Sequence, residues 1–272
     1  MQFKKAPLIE LVAEFRWVPD TAVPLFAPPN APGQVATPLP LVDPGRYESF
    51  FSNFSRAIAE RGYARTERLI PAGWPFPFQL PVLRFRHSDF EKSQSTLYQL
   101  GAGIFSAHAI PPYRNWESFK PVINDGLEVL MGNMLPDEHV SRFTTVVLRY
   151  IDRFTAEFSE GMPSRDFIEQ IFRIRLDLPA VLRDEAVDER IIDQTLLLRI
   201  PLKSGLLMTL GINPPTQPPG GGIVLDTAVG SQESVAFDVR AAVEMLEAAH
   251  TSIRHVFTSL TEPIYAKMEP QP

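Results

Sequence analysis

Apolar and polar side chains alternate in the segment Leu8-Ile9-Glu10-Leu11-Val12-Ala13-Glu14-Phe15-Arg16-Trp17. Every second residue from Ile9 to Trp17 is apolar, which is typical of a β-strand with one face in the core. The other face carries the polar side chains Glu10, Glu14 and Arg16 beside Leu8 and Val12. The segment therefore predicts a half-buried strand in a sheet whose second face is partly polar.

Further elements follow this strand in a recognisable order. Residues 18–45 are rich in proline and lack periodicity, so they are predicted to form an extended loop. The next predictions are a helix over 46–61, strands over 80–87 and 96–110, a helix over 118–134 capped by Ser118, and a strand over 142–154. Strand, helix, strand, strand, helix, strand is the order of a ferredoxin-like unit, an antiparallel sheet with helices on one face.

The second half of the chain predicts another antiparallel sheet with one long helix. The predicted elements are a short helix over 164–172, strands over 194–202, 205–213 and 222–229, and a helix over 238–260. Apolar residues in that last helix recur at spacings of three and four, which suits a helix laid across a sheet. The fold class is therefore α+β, with an N-terminal lobe over 1–158 and a C-terminal lobe over 159–272.

Composition excludes several classes of function. The 272 residues contain no cysteine, which excludes disulfides, thiol catalysis and thiolate zinc sites. A net charge of −6 disfavours general nucleic-acid binding. The N-terminal residues lack the apolar core of a signal peptide, and no apolar run reaches the roughly 18–20 residues that span a bilayer. We expect a cytoplasmic protein with no membrane partner, cofactor or metal.

The best candidate site is the polar face of the N-terminal sheet. In the ferredoxin-like order, the first strand lies between the third and the fourth, which brings alternating polar side chains together. The candidate residues are Glu10, Glu14, Arg16, Arg84, Arg86, Gln99, Arg149 and Arg153. Arginine forks match carboxylates and phosphates, so this array could hold a small anion. The alternative is cross-strand charge pairing on a solvated face or at a contact between the two lobes.

Three other motifs have simpler explanations. Gly101-Ala102-Gly103 falls inside a predicted strand with no helix after it, which indicates a bulge or a close backbone approach rather than a phosphate loop. Tyr113 and Trp116 precede a helix and indicate a hydrophobic staple, with a recognition pocket as the alternative. His250 and His255 are about 140° apart around a helix, unlike paired zinc ligands, so His250 is expected to be a hydrogen-bonded core or interface residue.

The chain also resembles a sporadically distributed bacterial family of uncharacterised proteins. The resemblance is carried by four stretches: the opening strand 7–16, the segments 97–106 and 112–120 with their Leu-Gly-x-Gly and Trp-Glu-x-Phe motifs, and the strand segment 148–152. It covers about residues 7 to 152. The resemblance implies no reaction, cofactor or catalytic residue. The scattered occurrence of the family implies an accessory role, as in mobile defence or toxin-linked gene cassettes.

Three functional hypotheses follow. The favoured one is a non-enzymatic binding module that recognises a protein partner or a small anionic ligand through the N-terminal sheet and the proline-aromatic loops. The second is an enzyme acting on an anionic substrate, with Glu10 or Glu14 as acid/base. The third is a structural homo-oligomer, such as a homodimer, in which the last helix packs on a second copy.

Overall fold

The computed structural model describes residues 2–19, 41–42, 44–71, 74, 76–89, 95–113, 115–136, 138–188, 192, 194–214 and 221–271. The loop predicted over 18–45 lies outside the described residues except at its two ends. The fold is mixed α+β, with a mostly antiparallel sheet and a C-terminal helix packed against it.

Every segment that the sequence predicts as a strand overlaps at least one strand of the structure. In chain order they are β1 Gln2–Phe3, β2 Leu8–Trp17, β3 Leu41–Val42, β4 Arg65–Arg68, β5 Phe76–Pro77, β6 Leu83–Arg86, β7 Thr96–Gly101, β8 Ile104–Ala109, β9 Arg142–Phe154, β10 Leu196–Pro201, β11 Leu206–Asn213, β12 Ile223–Ser231, β13 Val235–Ala236 and β14 Pro270–Gln271. The predictions for β2 and β9 are confirmed to the residue.

The helices are α1 Pro44–Glu60, α2 Trp116–Gly132, α3 Ala156–Ser159, α4 Ser164–Gln170, α5 Ala180–Asp184 and α6 Val239–Thr261, and a 3₁₀ helix follows over Glu262–Met268. Helix α2 begins two residues before the predicted cap. Asn115 is its N-cap and accepts the amide of Ser118, while the Ser118 hydroxyl interacts with the Asn115 amide to complete a capping box. Trp116 is buried and its ring contacts Phe119, so Trp116 has a packing role at the start of this helix.

The chain forms two compact units, each made of separate segments. The terminal unit comprises Met1–Leu11, Leu148–Gly230 and Glu247–Pro272, and the central unit comprises Val12–Val147 and Ser231–Leu246. Strands β2 and β9 and helix α6 therefore contribute residues to both. The sequence instead places one boundary after residue 158. Both units are assembled from distant parts of the chain, and the boundary after residue 158 stays a prediction.

The central unit has a sheet in the order β9-β2-β8-β7-β6-β4. One face is covered by aromatic packing against α1, in which Phe54 lies 5.3 Å from Phe85 and 5.9 Å from Phe105 between ring centroids. On the same face, the Tyr98 hydroxyl donates to the carbonyl of Val122 in α2. A simple four-strand ferredoxin-like unit is not confirmed, since this sheet contains additional strands.

The prediction of one strand over 96–110 is wrong, because the chain reverses at Ala102 and Gly103 to form the β7–β8 hairpin. Gly103 has a φ of +74°, a conformation that glycine adopts without steric cost. A Cβ on Gly101 would lie 2.0 Å from the carbonyl oxygen of Leu80, so the predicted close backbone approach is correct. The two glycines thus mark a tight turn.

The terminal unit has its own core and a sheet in the order β10-β11-β12-β9-β2. Buried Phe154, Phe167 and Phe172 pack together with residues of β11, β12 and the 3₁₀ helix. Phe257 and Leu260 of α6 pack against this cluster. At this end of α6, the apolar stripe that the sequence suggested for packing on a second copy therefore packs against the core of the same chain.

Candidate functional site

The central-unit sheet has a second face that carries a row of polar side chains across five strands. The strand registers pair Glu67 with Arg84, Arg84 with Gln99, and Gln99 with Ser106. The row extends to β2, where the Trp17 amide donates to the Gly103 carbonyl and Phe15 packs on Phe105. Counting back along these antiparallel strands places Glu14 opposite Ser106, on the same face.

A second row runs beside the first. Arg86 lies opposite Leu97, and Leu97 lies opposite His108. Arg16 belongs to the same face of β2 and donates from Nε to Glu14 at 2.7 Å. The structure therefore brings five predicted site residues onto one surface, which we call the polar face: Glu14, Arg16, Arg84, Arg86 and Gln99.

Ser106 and His108 form a buried pair within the polar face. The Ser106 hydroxyl oxygen lies 2.8 Å from Nε2 of His108, in hydrogen-bond contact. Their exposed fractions are only 3% and 8%. Because residues two apart in a strand share a face, the pair points the same way as Gln99 and Glu14. A hydroxyl bonded to an imidazole is the arrangement of a nucleophile and its base, and it is also an ordinary way to satisfy two buried polar groups.

The arginines of the polar face interact with carboxylates of the same chain. Arg84 donates from Nη1 to Glu67 at 3.0 Å, and Arg86 lies 4.0 Å from the same carboxylate. Glu67 is half exposed, with 52% of its side chain accessible. The Nε atom of Arg84 differs, because it is buried and finds no hydrogen-bond partner among the residues that the structure describes. The polar face thus carries an unsatisfied guanidinium donor in a half-buried setting.

Glu10 lies in the terminal unit and has a different environment from the predicted one. The Arg153 amide donates to the Pro7 carbonyl at 2.8 Å, which fixes the pairing of β2 with β9. Counting from that bond places Glu10 opposite Tyr150, whose hydroxyl lies 2.8 Å from Nδ1 of His250. His250 is therefore hydrogen-bonded at the helix–sheet contact, as the sequence indicated.

The predicted neighbours of Glu10, Arg149 and Arg153, alternate with Tyr150 and so lie on the opposite face of β9. Arg149 is engaged by a fork of two bonds to Asp226, with Nε donating to Oδ1 at 2.7 Å and Nη2 donating to Oδ2. Arg153 is exposed to solvent. The eight predicted residues thus form no single array, since these three belong to the terminal unit.

Asp152 is the most perturbed carboxyl among the groups described. It lies two residues from Tyr150 on the core face of β9 and is only 3% exposed. Burial, and secondarily the charge of Asp226, raise the pKa of Asp152 to about 8. Contacts of α6 flank it along the strand, with His250 at Tyr150 and Phe257 at the Phe154 cluster. Burial of Asp152 thus favours the protonated form of its carboxyl.

Sequence reasoning missed Ser106, His108, Glu67 and Asp152. The first two were hidden because the predicted single strand over 96–110 gave no strand partner for either side chain. Glu67 lies in β4, a strand too short and too polar to show alternation. Asp152 could have been found from the sequence, because it lies two residues after Tyr150 and four after Leu148 and so shares their face of the alternating strand.

No model of a protein family matches the chain, and no curated protein is detectably similar to it in sequence. The resemblance to the sporadic bacterial family therefore stays a prediction. Within the described ranges, no helix is both long and apolar enough to cross a membrane. In the same part of the chain, no three His, Asp or Glu side chains are grouped to hold a metal ion.

Proposed function

We propose that the protein is a cytoplasmic binding module that holds a small anionic ligand, with a carboxylate or phosphate group, on the polar face of the central unit. The observation that carries the proposal is the buried Nε donor of Arg84, for which the described part of the chain provides no acceptor. A shielded donor without a partner costs about 1–3 kcal/mol, and a carboxylate or phosphate oxygen would remove that cost.

The charge balance of the polar face supports an anion. Arg16, Arg84 and Arg86 oppose two carboxylates, Glu14 and Glu67. The Arg84–Glu67 bond is a partly exposed ion pair, and such pairs contribute only about 0–1 kcal/mol. A ligand anion can therefore replace Glu67 at the guanidinium at small cost, while the Gln99 amide and the Ser106 hydroxyl supply neutral hydrogen-bonding groups beside it.

The test is calorimetric titration with inorganic phosphate and with citrate as probes, followed by thermal unfolding in the presence of each probe. The wild type is compared with Arg84→Lys, which keeps the charge and lacks Nε, and with Arg56→Lys, an exposed control on α1. We expect both probes to raise thermal stability in the wild type and control, by about 1.4 kcal/mol at ten times Kd. Failure of either probe to bind the wild type, or equal binding by Arg84→Lys, would overturn the proposal.

A second candidate function is enzymatic, and the Ser106–His108 hydrogen bond favours it. In this version Ser106 is the nucleophile, His108 takes its proton, and Glu14 on the facing strand serves as the acid/base carboxylate. Glu10, the other predicted acid/base, would act elsewhere, beside Tyr150 and His250. Covalent labelling by a fluorophosphonate that Ser106→Ala abolishes would support this candidate; an unlabelled wild type would remove it.

The biological setting that we propose follows from the family resemblance. The module would serve an accessory role in a mobile defence or toxin-linked cassette. Its ligand would then be a small anion present in a bacterial cell, which the polar face would bind without converting it chemically. Deleting the gene from its native cassette and measuring the cassette's phenotype, with an Arg84→Lys allele beside the deletion, tests this setting separately from binding.

A further inference from the structure

Strand β10 lies at the end of the strand order in the terminal unit. It pairs with β11 along its whole length, from Leu196 opposite Ile212 to Pro201 opposite Leu207. Among the residues that the structure describes, no strand pairs with its outer side. An unpaired outer side presents a row of backbone amides and carbonyls to any extended segment that approaches it.

The backbone groups that face outward can be assigned. The Leu202 amide donates to the Leu206 carbonyl at 2.8 Å, so this facing pair is hydrogen-bonded. Hydrogen-bonded pairs alternate in an antiparallel ladder, which directs the amides of Leu198 and Ile200 to β11 and those of Leu197 and Arg199 outward. Pro201 has the same phase as Leu197, and proline fits an edge strand only where no ladder amide is needed.

The side chains of β10 are apolar and unusually exposed. The accessible fraction is 64% for Leu197, 38% for Leu198 and 39% for Ile200. Leu198 and Ile200 extend the face on which Met208 and Leu210 are buried, because each lies opposite one of them. A strand added beside β10 would therefore cover aliphatic surface and continue the sheet at the same time.

Charge identifies the kind of segment that fits. Residues 194–213 include Arg199 and Lys203 and no Asp or Glu, although the whole chain has a net charge of −6. Arg199 is exposed and lies within 4 Å of no carboxylate in the described residues. A second copy would bring two basic hairpins together, and like charges on facing strands are destabilising.

We infer that β10 receives an extended segment of a partner protein, in which aliphatic residues alternate with at least one Asp or Glu placed beside Arg199. The segment would pair through the outward amides of Leu197 and Arg199. This surface belongs to the terminal unit and is independent of the proposed anion site. It supplies the protein-partner function that the sequence suggested, on a strand that the sequence did not single out.

The test starts from a display library of random ten-residue peptides selected on the wild-type protein. The most enriched peptide is then synthesised and its binding measured by fluorescence anisotropy. Arg199→Glu should weaken it about tenfold and select basic peptides instead, since one opposed charge is replaced by a like charge. Leu197→Pro should weaken it at least as much by removing an outward amide. Arg254→Glu, an exposed charge reversal on α6, is the matched control and should change nothing.

Three results would overturn the inference. The first is a selection that enriches no acidic, aliphatic peptide. The second is an enriched peptide that binds Arg199→Glu as tightly as the wild type, a readout that stands even where Leu197→Pro disturbs folding. The third is a wild-type dimer in sedimentation that Arg199→Glu or Leu197→Pro dissociates, because the occupant of β10 would then be a second copy.

Discussion

The hydroxyl of Ser106 and Nε2 of His108 lie 2.8 Å apart, both buried on the polar face of the central unit. Each satisfies the other in surroundings where an unpaired polar group is costly. The pair also adjoins Gln99 and Glu14, so it connects the stability of the central unit to the proposed ligand site. Removing the pair should therefore change both the free energy of unfolding and the binding of the ligand.

Replacing Ser106 by Ala should lower the free energy of unfolding by about 1–3 kcal/mol, because Nε2 of His108 loses its partner in a buried position. Urea denaturation followed by far-UV circular dichroism measures this. Ser52→Ala on the exposed surface of α1 is the control and should be neutral or slightly stabilising. In a double-mutant cycle, Ser106→Ala with His108→Leu should cost less than the sum of the two single changes. Additive costs would show that the pair is not coupled.

Asp152 should make stability fall as pH rises. Its pKa of about 8 in the folded chain lies far above the usual value near 3.8, so between roughly pH 4 and pH 8 only the folded state holds the proton. Its contribution is fully present below the unfolded pKa and is lost towards pH 8, at up to about 1.4 kcal/mol per pH unit.

Asp152→Asn removes the ionisation and keeps the shape of the side chain. We expect the variant to gain stability relative to the wild type steadily from pH 5 to pH 8, as measured by chemical denaturation at each pH. The exposed Asp89→Asn control should follow the wild-type profile. Parallel pH profiles for Asp152→Asn and wild type would mean that Asp152 titrates normally.

Gly101→Ala should destabilise the central unit by several kcal/mol. The added Cβ would lie 2.0 Å from the Leu80 carbonyl oxygen, so backbone would have to move. Gly132→Ala at the end of α2 is the matched control, because nothing lies within 4 Å of the position that its added methyl group would take. That control should be neutral or stabilising by up to about 1 kcal/mol. Thermal unfolding that ranks the two variants equally would contradict the hairpin geometry.

Local sequence pattern predicted the long strands and helices, but it did not predict every turn or which strands pair. Alternation over ten and thirteen residues predicted both ends of β2 and β9 correctly. An alternating pattern with a period of two can be recognised from the sequence alone. The β7–β8 turn was missed because Ala102 and Gly103 interrupt an apolar run that otherwise reads as one strand. Without that turn, the sequence could not show that Glu14, Ser106 and Gln99 lie in one row across neighbouring strands.

The candidate site was predicted in part for the same reason. Alternation placed Glu14, Arg16, Arg84, Arg86 and Gln99 on polar faces, and the structure brings those faces together. Pairing register decided the rest, since a shift by one residue turns a side chain to the other face. Arg149 was predicted beside Glu10 and instead pairs with Asp226. Only tertiary packing determines such pairings and the burial that shifts the pKa of Asp152.

The most direct test of the anion site is an NMR titration that follows the arginine Nε–Hε resonances while inorganic phosphate is added. The Arg84 resonance is assigned by its loss in Arg84→Lys, and Arg56 on the exposed surface of α1 is the internal reference. We predict a saturable shift of the Arg84 signal as its buried Nε gains an acceptor, with Arg56 unmoved. An Arg84 signal that stays in place, or that moves only in parallel with Arg56, would contradict an anion site at Arg84.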